Sequence, residues 1–531
     1  MKKLFSLLPV LFVFIRISAS DGYQRQKNID ILHYEFSVIL SDSSDMIRGR
    51  SIIDVKVVGR HAGITLDLKG YDAEGRGMNV DEVLVNGKKA EWKHIEDRLV
   101  VFSGDTEGFK DTAEIAVIYH GIPAGGLIIS RSKYGDRTFF ADNWPDRAHN
   151  YIPCIDHPYD KATVDFIVTA PEYYSVVANG RLVEESSLAG HLKLTHWSEE
   201  VPIPVKVMTF GAARFAVKYV GTVGGIPVWS WVFPQNRMEG FSDYSVAVRP
   251  LEFYIRTIGN FPFEKIANVQ SKTTYGGMEN ASAIFYSENS VTGQSKDERL
   301  IAHELAHQWF GDCVTEADWH QIWLSEGFAT YLASFYLESV YGKERLEEDM
   351  NRTREMIIRA YHRRPEPVVD TTITNLMDLL NINSYQKGAW ILHMLRNEVG
   401  DSNFVRGLRL FYTRYRFANV CSIDFQNVME EVSCMDLGRF FFQWLYLTGQ
   451  PELKIWKKQS PKNNATEIFI EQEQDNLFEF QLDLKIRDSS GESIRTVNVK
   501  DKLTKISVPS AVSGIIPDPN VKLLFSLIPD P

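Results

Sequence analysis

Cysteine is scarce in this chain: four residues in 531, at positions 154, 313, 421 and 434. None are spaced as Cys-x-x-Cys, which excludes a zinc ribbon, a thioredoxin-like redox pair and a disulfide-framework fold, and a chain this long can bury a core without cross-links. Cys421 and Cys434 are near enough in sequence for a bridge in an exported protein, although four free thiols are the favoured expectation. Positive charge is also in deficit, with 58 Lys and Arg against 69 Asp and Glu and a formal net charge of -11. That balance disfavours nucleic acid and anionic membranes as partners. Long apolar runs are missing after residue 20, so the mature chain is expected to carry no membrane span. The one apolar run, Leu4 to Ile15, follows Lys2 and Lys3 and precedes Ser18, Ala19 and Ser20. It reads as a signal peptide over residues 1–20, despite Arg16 near its end, and implies export to the periplasm or the cell exterior.

What is present is concentrated in one short stretch. His303-Glu304-Leu305-Ala306-His307 is followed by Glu326 within Trp323-Leu324-Ser325-Glu326-Gly327. Residues four apart share a helix face, so His303 and His307 can offer two imidazoles to one metal while Glu304 lies beside them. Ser295 and Glu298 have capping-box spacing, apolar positions recur through Phe310, and Gly311 is a natural stop. A second helix reads from about Trp323 through Phe335, which lets Glu326 point across. Three protein ligands and an open fourth position describe a catalytic zinc site, with one ion per chain, rather than a structural one. Glu304, beside a ligand but not a ligand, is placed to act as the base for hydrolysis of an amide or ester.

Upstream, Tyr275-Gly276-Gly277-Met278-Glu279-Asn280 follows the strand-like Ile266 to Gln270. Two glycines allow close backbone approach to a ligand, and a carboxylate beside them can bind a cation. Together with the histidine motif this segment resembles the exopeptidase signature of the gluzincin aminopeptidases, the aminopeptidase N and leukotriene hydrolase family. Tyr385-Gln386-Lys387-Gly388, Glu326-Gly327-Phe328-Ala329 and Gly449-Gln450-Pro451-Glu452-Leu453 resemble further landmarks of that family.

The resemblance implies roles residue by residue. Zinc falls to His303, His307 and Glu326, the base to Glu304, oxyanion stabilisation to Tyr385, and substrate binding to Gly276, Gly277, Met278, Glu279 and Asn280, with Glu279 on the free α-amino group. It implies a zinc aminopeptidase acting on peptides with a free N-terminus, with epoxide opening or endopeptidase action as other uses of the same cleft and a non-catalytic peptide-binding protein as a remote one. Two departures stand out. Counting back from Pro153-Cys154-Ile155-Asp156-His157-Pro158, the second amine anchor of the family falls on Trp144, with Asp142 and Asn143 as the nearby substitutes. The usual asparagine before the zinc glutamate is Ser325.

The fold expected is α+β and multidomain. After residues 1–20 come an N-terminal antiparallel β domain over 21–217, a thermolysin-like, mostly helical catalytic domain over 218–451 and a small C-terminal β-sandwich over 452–531. In the last, Phe478, Phe480, Leu482, Leu484 and Ile486 alternate with polar residues as a half-buried strand does. The resemblance is to a short form without the family's large helical C-terminal domain, from which a more open cleft is expected. The sequence leaves the oligomeric state and the preferred terminal residue open.

Overall fold

A computed structural model describes residues 21–103, 108–361, 363, 365–460 and 465–529. Residues 1–20, read above as a signal peptide, lie outside the described residues.

The N-terminal domain is built on an eight-stranded sheet. Its strand Lys161–Pro171 buries every second residue, the signature of a sheet with one face on a core. The sheet is mixed rather than antiparallel, because Ile29–Ile39 pairs parallel with Lys161–Pro171 while pairing antiparallel with Ile47–His61. The crossover between the parallel partners runs from Ile47–His61 through Arg137–Ala141, and further strands of the domain follow Lys161–Pro171, which a simple hairpin reading does not anticipate.

The second domain starts with strand Ala216–Val223, which crosses the expected boundary at 217 and joins a five-stranded sheet rather than the N-terminal one. Ile226–Val232, Ile266–Ser271 and Ala283–Ser287 run parallel, and Gly277–Met278 lies antiparallel at the open edge. The six residues Ile266–Ser271 are all buried, as expected of a strand covered on both faces. Helix Glu298–His307 packs against the edge strand Gly277–Met278, and Trp323–Tyr341 packs in turn on Glu298–His307, Lys343–Tyr361 and Gly388–Val399. Trp323–Tyr341 is apolar nearly all round, and fourteen of its residues are buried, so it forms the centre of the domain. Where it crosses Gly388, a Cβ on Gly327 would lie 2.9 Å from the Gly388 Cα. The two glycines let the backbones touch, and that contact sets the position of Tyr385 immediately before the second helix.

The C-terminal region from Glu452 packs a four-stranded sheet against a three-stranded one. In strand Phe480–Asp488, Leu482, Leu484 and Ile486 are buried, and Phe478 is buried just before it. Arg354 pairs with Asp518, and Val521 O accepts from His393 Nε2 at 2.7 Å, tying this sandwich to the catalytic helices.

Two local expectations are corrected. Ser295 and Glu298 do not form a capping box: Ser295 donates its N–H to Asp243 Oδ1 at 2.8 Å, and the Glu298 carboxylate accepts from Tyr336 and Tyr341, both at 2.6 Å. A tertiary partner has taken each side of the box. The helix then ends at His307, four residues before Gly311. All four cysteines are free thiols. Cys421 and Cys434 flank the two ends of helix Ser422–Ser433, and at 1.5 Å rise per residue they stand roughly 20 Å apart, far beyond the reach of a disulfide.

Candidate active site

His303 and His307 lie on one face of helix Glu298–His307, and Glu326 reaches them from the first turn of Trp323–Tyr341. The two Nε2 atoms are 3.1 Å apart, and Glu326 Oε2 lies 3.5 Å from His303 Nε2 and 3.4 Å from His307 Nε2. Ligand atoms placed tetrahedrally at 2.0–2.2 Å from one zinc are separated by about 3.3–3.6 Å, so this triangle has the dimensions of a zinc site. Glu326 Oε2 is buried without a hydrogen-bond partner among the described residues, a cost that a cation at the centre of the triangle would remove. Ser325 Oγ sits 3.0 Å from His307 Nδ1, which fixes the ring so that Nε2 faces the triangle. The serine in place of asparagine thus keeps a hydrogen bond to the ligand.

Three buried carboxylates, Glu279, Glu304 and Glu326, surround the two imidazoles. Burial opposes charge on His307, but Glu326 and Glu279 pull it up to about 10. Burial alone would raise Glu326, yet His307 and His303 hold it well below the ordinary carboxylate range. For Glu304, burial dominates and, with Glu279 and Glu326 beside it, pushes the carboxyl well up. The pocket therefore carries an excess of negative charge that its own side chains do not balance, which suits a divalent cation.

The substrate-side wall is the edge strand Gly277–Met278 and the residues around it. A Cβ on Gly277 would collide with the Glu304 carboxylate, so only glycine lets the strand pass this close. Behind the strand, the N-terminal domain holds the loop. Asn179 Nδ2 donates to Ala281 O at 2.5 Å, and Gly180 N donates to Ser282 Oγ at 2.7 Å. The buried Lys206–Glu316 ion pair and Lys161, whose Nζ donates to Cys313 O at 2.8 Å, complete the seam. Glu279 is 5% exposed, and its Oε1 has no hydrogen-bond partner among the described residues.

Tyr385 sits in a wide π-type turn, Asn383–Lys387, leading into helix Gly388–Val399. Its ring stacks on His303 with centroids 6.1 Å apart, and burial followed by the three carboxylates pushes its hydroxyl well above the usual tyrosine range. It is therefore a neutral donor facing the triangle.

These groups line one cleft of about 410 Å³. The structure brings together Gly276, Gly277, Met278, Glu279, His303, Glu304, His307, Glu326 and Tyr385 along its walls. Asn280 is the exception. It is fully buried and does not line the cleft, because the loop turns inward after Glu279 to meet the N-terminal domain. Asp142 and Asn143 are also occupied elsewhere: Asp142 pairs with Arg147 at 2.8 Å, and Asn143 Nδ2 donates to Met208 O at 2.8 Å. Trp144 itself lines the cleft, edge-on to Tyr275 at 6.2 Å.

Sequence reasoning missed Arg299, Leu300, Thr330, Leu380 and Gln386, which also line it. Arg299 precedes His303 by four residues, so the helical spacing that found the histidines also carries a signal for it. Leu380 and Gln386 come from an irregular segment whose path no periodicity reveals.

Residues 243–444 match the peptidase family M1 domain, and residues 31–205 match the Peptidase M1 N-terminal domain. Among curated proteins, the chain is 25% identical over 416 residues to probable aminopeptidase 2 of Sulfurisphaera tokodaii, an alignment covering 75% of this chain and 51% of that protein. It is 27% identical over 340 residues to human glutamyl aminopeptidase, covering 59% of this chain and 34% of the relative. The chain thus spans about half the length, or less, of the curated relatives it matches. Among solved structures, Legionella pneumophila aminopeptidase A superposes with a TM-score of 0.80 at 17% identity, covering 96% of this chain and 60% of that one. The M1 zinc metallopeptidase from Deinococcus radiodurans superposes with a TM-score of 0.69 at 22% identity, covering 82% and 97% respectively. With both domain signatures in order along the chain and the fold shared over nearly its full length, this protein belongs to peptidase family M1.

Proposed function

We propose that this protein is a zinc aminopeptidase that hydrolyses the first peptide bond of peptides with a free N-terminus. His303, His307 and Glu326 would hold the ion, which when bound supplies a Lewis acid that activates water and polarises the scissile carbonyl. Glu304 takes the proton from the attacking water and passes it to the leaving nitrogen, a role that its place beside the ligand triangle, in the wall of the cleft, allows. Tyr385 donates its hydroxyl proton in a hydrogen bond to the oxyanion as negative charge develops there. The edge strand at Gly277–Met278 offers backbone groups to an extended substrate, as an added strand would use them.

The observation that carries the exopeptidase reading is Glu279 Oε1, a buried acceptor without a partner at one end of the cleft. An α-ammonium satisfies it, whereas an internal peptide segment would leave it desolvated and unpaired. The test is a panel of aminoacyl fluorogenic amides with N-acetylated counterparts, assayed before and after chelation and zinc add-back. Cleavage restricted to free amines, lost on chelation and restored by zinc, is expected. Cleavage of blocked peptides at internal bonds would replace this reading with an endopeptidase.

We also propose that residues 1–20 direct export to the periplasm or cell exterior. Supporting this, the chain is anchored from Asp21 onward: its Oδ2 lies 2.6 Å from His157 Nε2 and accepts from Trp319 N at 3.3 Å. Among the described residues, no helix is long and apolar enough to cross a membrane. N-terminal sequencing of protein recovered from fractionated cells tests it, and an intact Met1 in the cytosolic fraction would rule it out.

A further inference from the structure

The cleft has two ends of opposite sign. Strand Gly277–Met278 runs beside helix Glu298–His307, and three contacts fix its direction. A Cβ on Gly276 would meet Leu300 at 3.9 Å, one on Gly277 would strike Glu304, and Glu279 O accepts from Gln308 Nε2 at 2.8 Å. Going from Gly276 to Glu279, the wall therefore passes from the first turn of the helix to just beyond its last. Glu279 marks the Gln308 end. Arg299 marks the other end, one turn before His303, and lines the cleft. Positions 299 and 308 are separated by about 13 Å along the helix axis, with both histidines between them.

Arg299 is the one lysine or arginine among the described residues lining this cleft. Its Nη1 donates to Ser334 Oγ at 3.0 Å and to Asp349 Oδ2 at 2.5 Å, while 30% of the side chain stays open. Asp349, 1% exposed, also takes Arg352 at 2.8 Å and Arg345 at 3.6 Å. Among the described residues, the only other carboxylate paired within this group is Glu348, 3.8 Å from Arg345. Three guanidiniums thus share two carboxylates, and the surplus is positive. A substrate whose ammonium sits at Glu279 passes its reacting carbonyl between the histidines and runs on toward Arg299. At about 3.5 Å per extended residue, the end of a di- or tripeptide falls within reach of a side chain as long as arginine.

We propose that Arg299 receives a carboxylate on the leaving side of the scissile bond, either the C-terminal carboxylate of a di- or tripeptide or an acidic side chain on the second residue. The proposal rests on the aminopeptidase reading above and names its substrate preference. With the first residue X fixed as the one wild type releases fastest, two matched pairs separate the sources. X-Ala against X-Ala amide reports the terminal carboxylate, and X-Asp amide against X-Asn amide reports the side chain.

Wild type is expected to favour the charged member of at least one pair by about 10-fold in kcat/KM, the size of a charge-assisted hydrogen bond. That ratio should fall to one in Arg299→Met, recover in Arg299→Lys and rise in Asp349→Asn, which releases Arg299 from its counter-charge. Each ratio is internal to one variant, so a change in overall rate does not affect it. If Arg299→Met does not fold, Asp349→Asn decides: a higher ratio supports the proposal and an unchanged ratio overturns it. Equal rates on both pairs in wild type, or a preference that survives Arg299→Met, also overturns it. Failure of zinc-loaded wild type to cleave any free-amine substrate would instead strike the aminopeptidase reading itself.

Discussion

Two buried charged regions lie side by side in this molecule and are built differently. At the seam between the N-terminal and catalytic domains, Glu316 is buried with Lys206 on it, and Lys161 places its ammonium on three backbone carbonyls. In the cleft, Glu279, Glu304 and Glu326 are as deeply buried, yet no lysine or arginine forms an ion pair with any of them among the described residues. Both regions sit in low-dielectric surroundings where an unbalanced charge is costly. The seam carries its own cations and is structural. The cleft leaves its charge to be balanced by what binds, in the proposed mechanism a metal at Glu326 and an ammonium at Glu279.

The largest expected effect breaks the cleft at its base. Glu304→Gln should lower kcat by about 10⁴-fold, while the zinc content measured by metal analysis stays at one per chain, because Glu304 lies outside the ligand triangle. Near-normal turnover would remove Glu304 from the mechanism. Next, Glu316→Gln breaks the seam instead, leaving Lys206 buried and unpaired. Denaturant unfolding should show a loss of about 3–5 kcal/mol with zinc retained. A neutral result would mean that the seam and the cleft do not differ in the way proposed.

Tyr385→Phe should reduce kcat by about 10²–10³-fold, roughly 3–4 kcal/mol, with KM little changed, since the hydroxyl acts as charge develops on the oxyanion. The smallest effect sharpens the comparison with a third arrangement. Asp160 in the N-terminal domain is buried with no cation on it among the described residues, and burial pushes its carboxyl up to about 8. Between pH 4 and 8 the folded protein thus holds a proton that the unfolded chain, with a pKa near 3.9, has released, so stability falls as pH rises through that window. Asp160→Asn removes this slope. Relative to wild type it should gain on the order of 2 kcal/mol in unfolding free energy from pH 5 to pH 6.5, and parallel stability curves would refute the assignment.

Much of the site is legible in the sequence because its spacing is local. His303, Glu304 and His307 lie within one and a third helical turns, and Gly277 declares a close approach before the approaching group is known. The failures share a cause as well. Ser295 and Glu298 have capping-box spacing, but Asp243 and two tyrosines on a distant helix compete for them and win. Asn280 belongs to the motif by position, yet the turn toward Asn179 and Gln308 buries it. Strand Ala216–Val223 joins the later sheet because its partner, Ile226–Val232, lies there.

By itself, the sequence brought out the candidate metal-binding and proton-transferring groups and the alternation that makes the first and last domains sheets, since His303 and His307 and the strand patterns rest on periodicities of 3.6 and 2 along the chain. Tertiary structure decided which buried charges are balanced and which are left open. Lys206 lies 110 residues from Glu316 in sequence, and Asp349 lies 50 residues from Arg299. Contacts over such separations are set by how helices and sheets pack, and no local pattern encodes them.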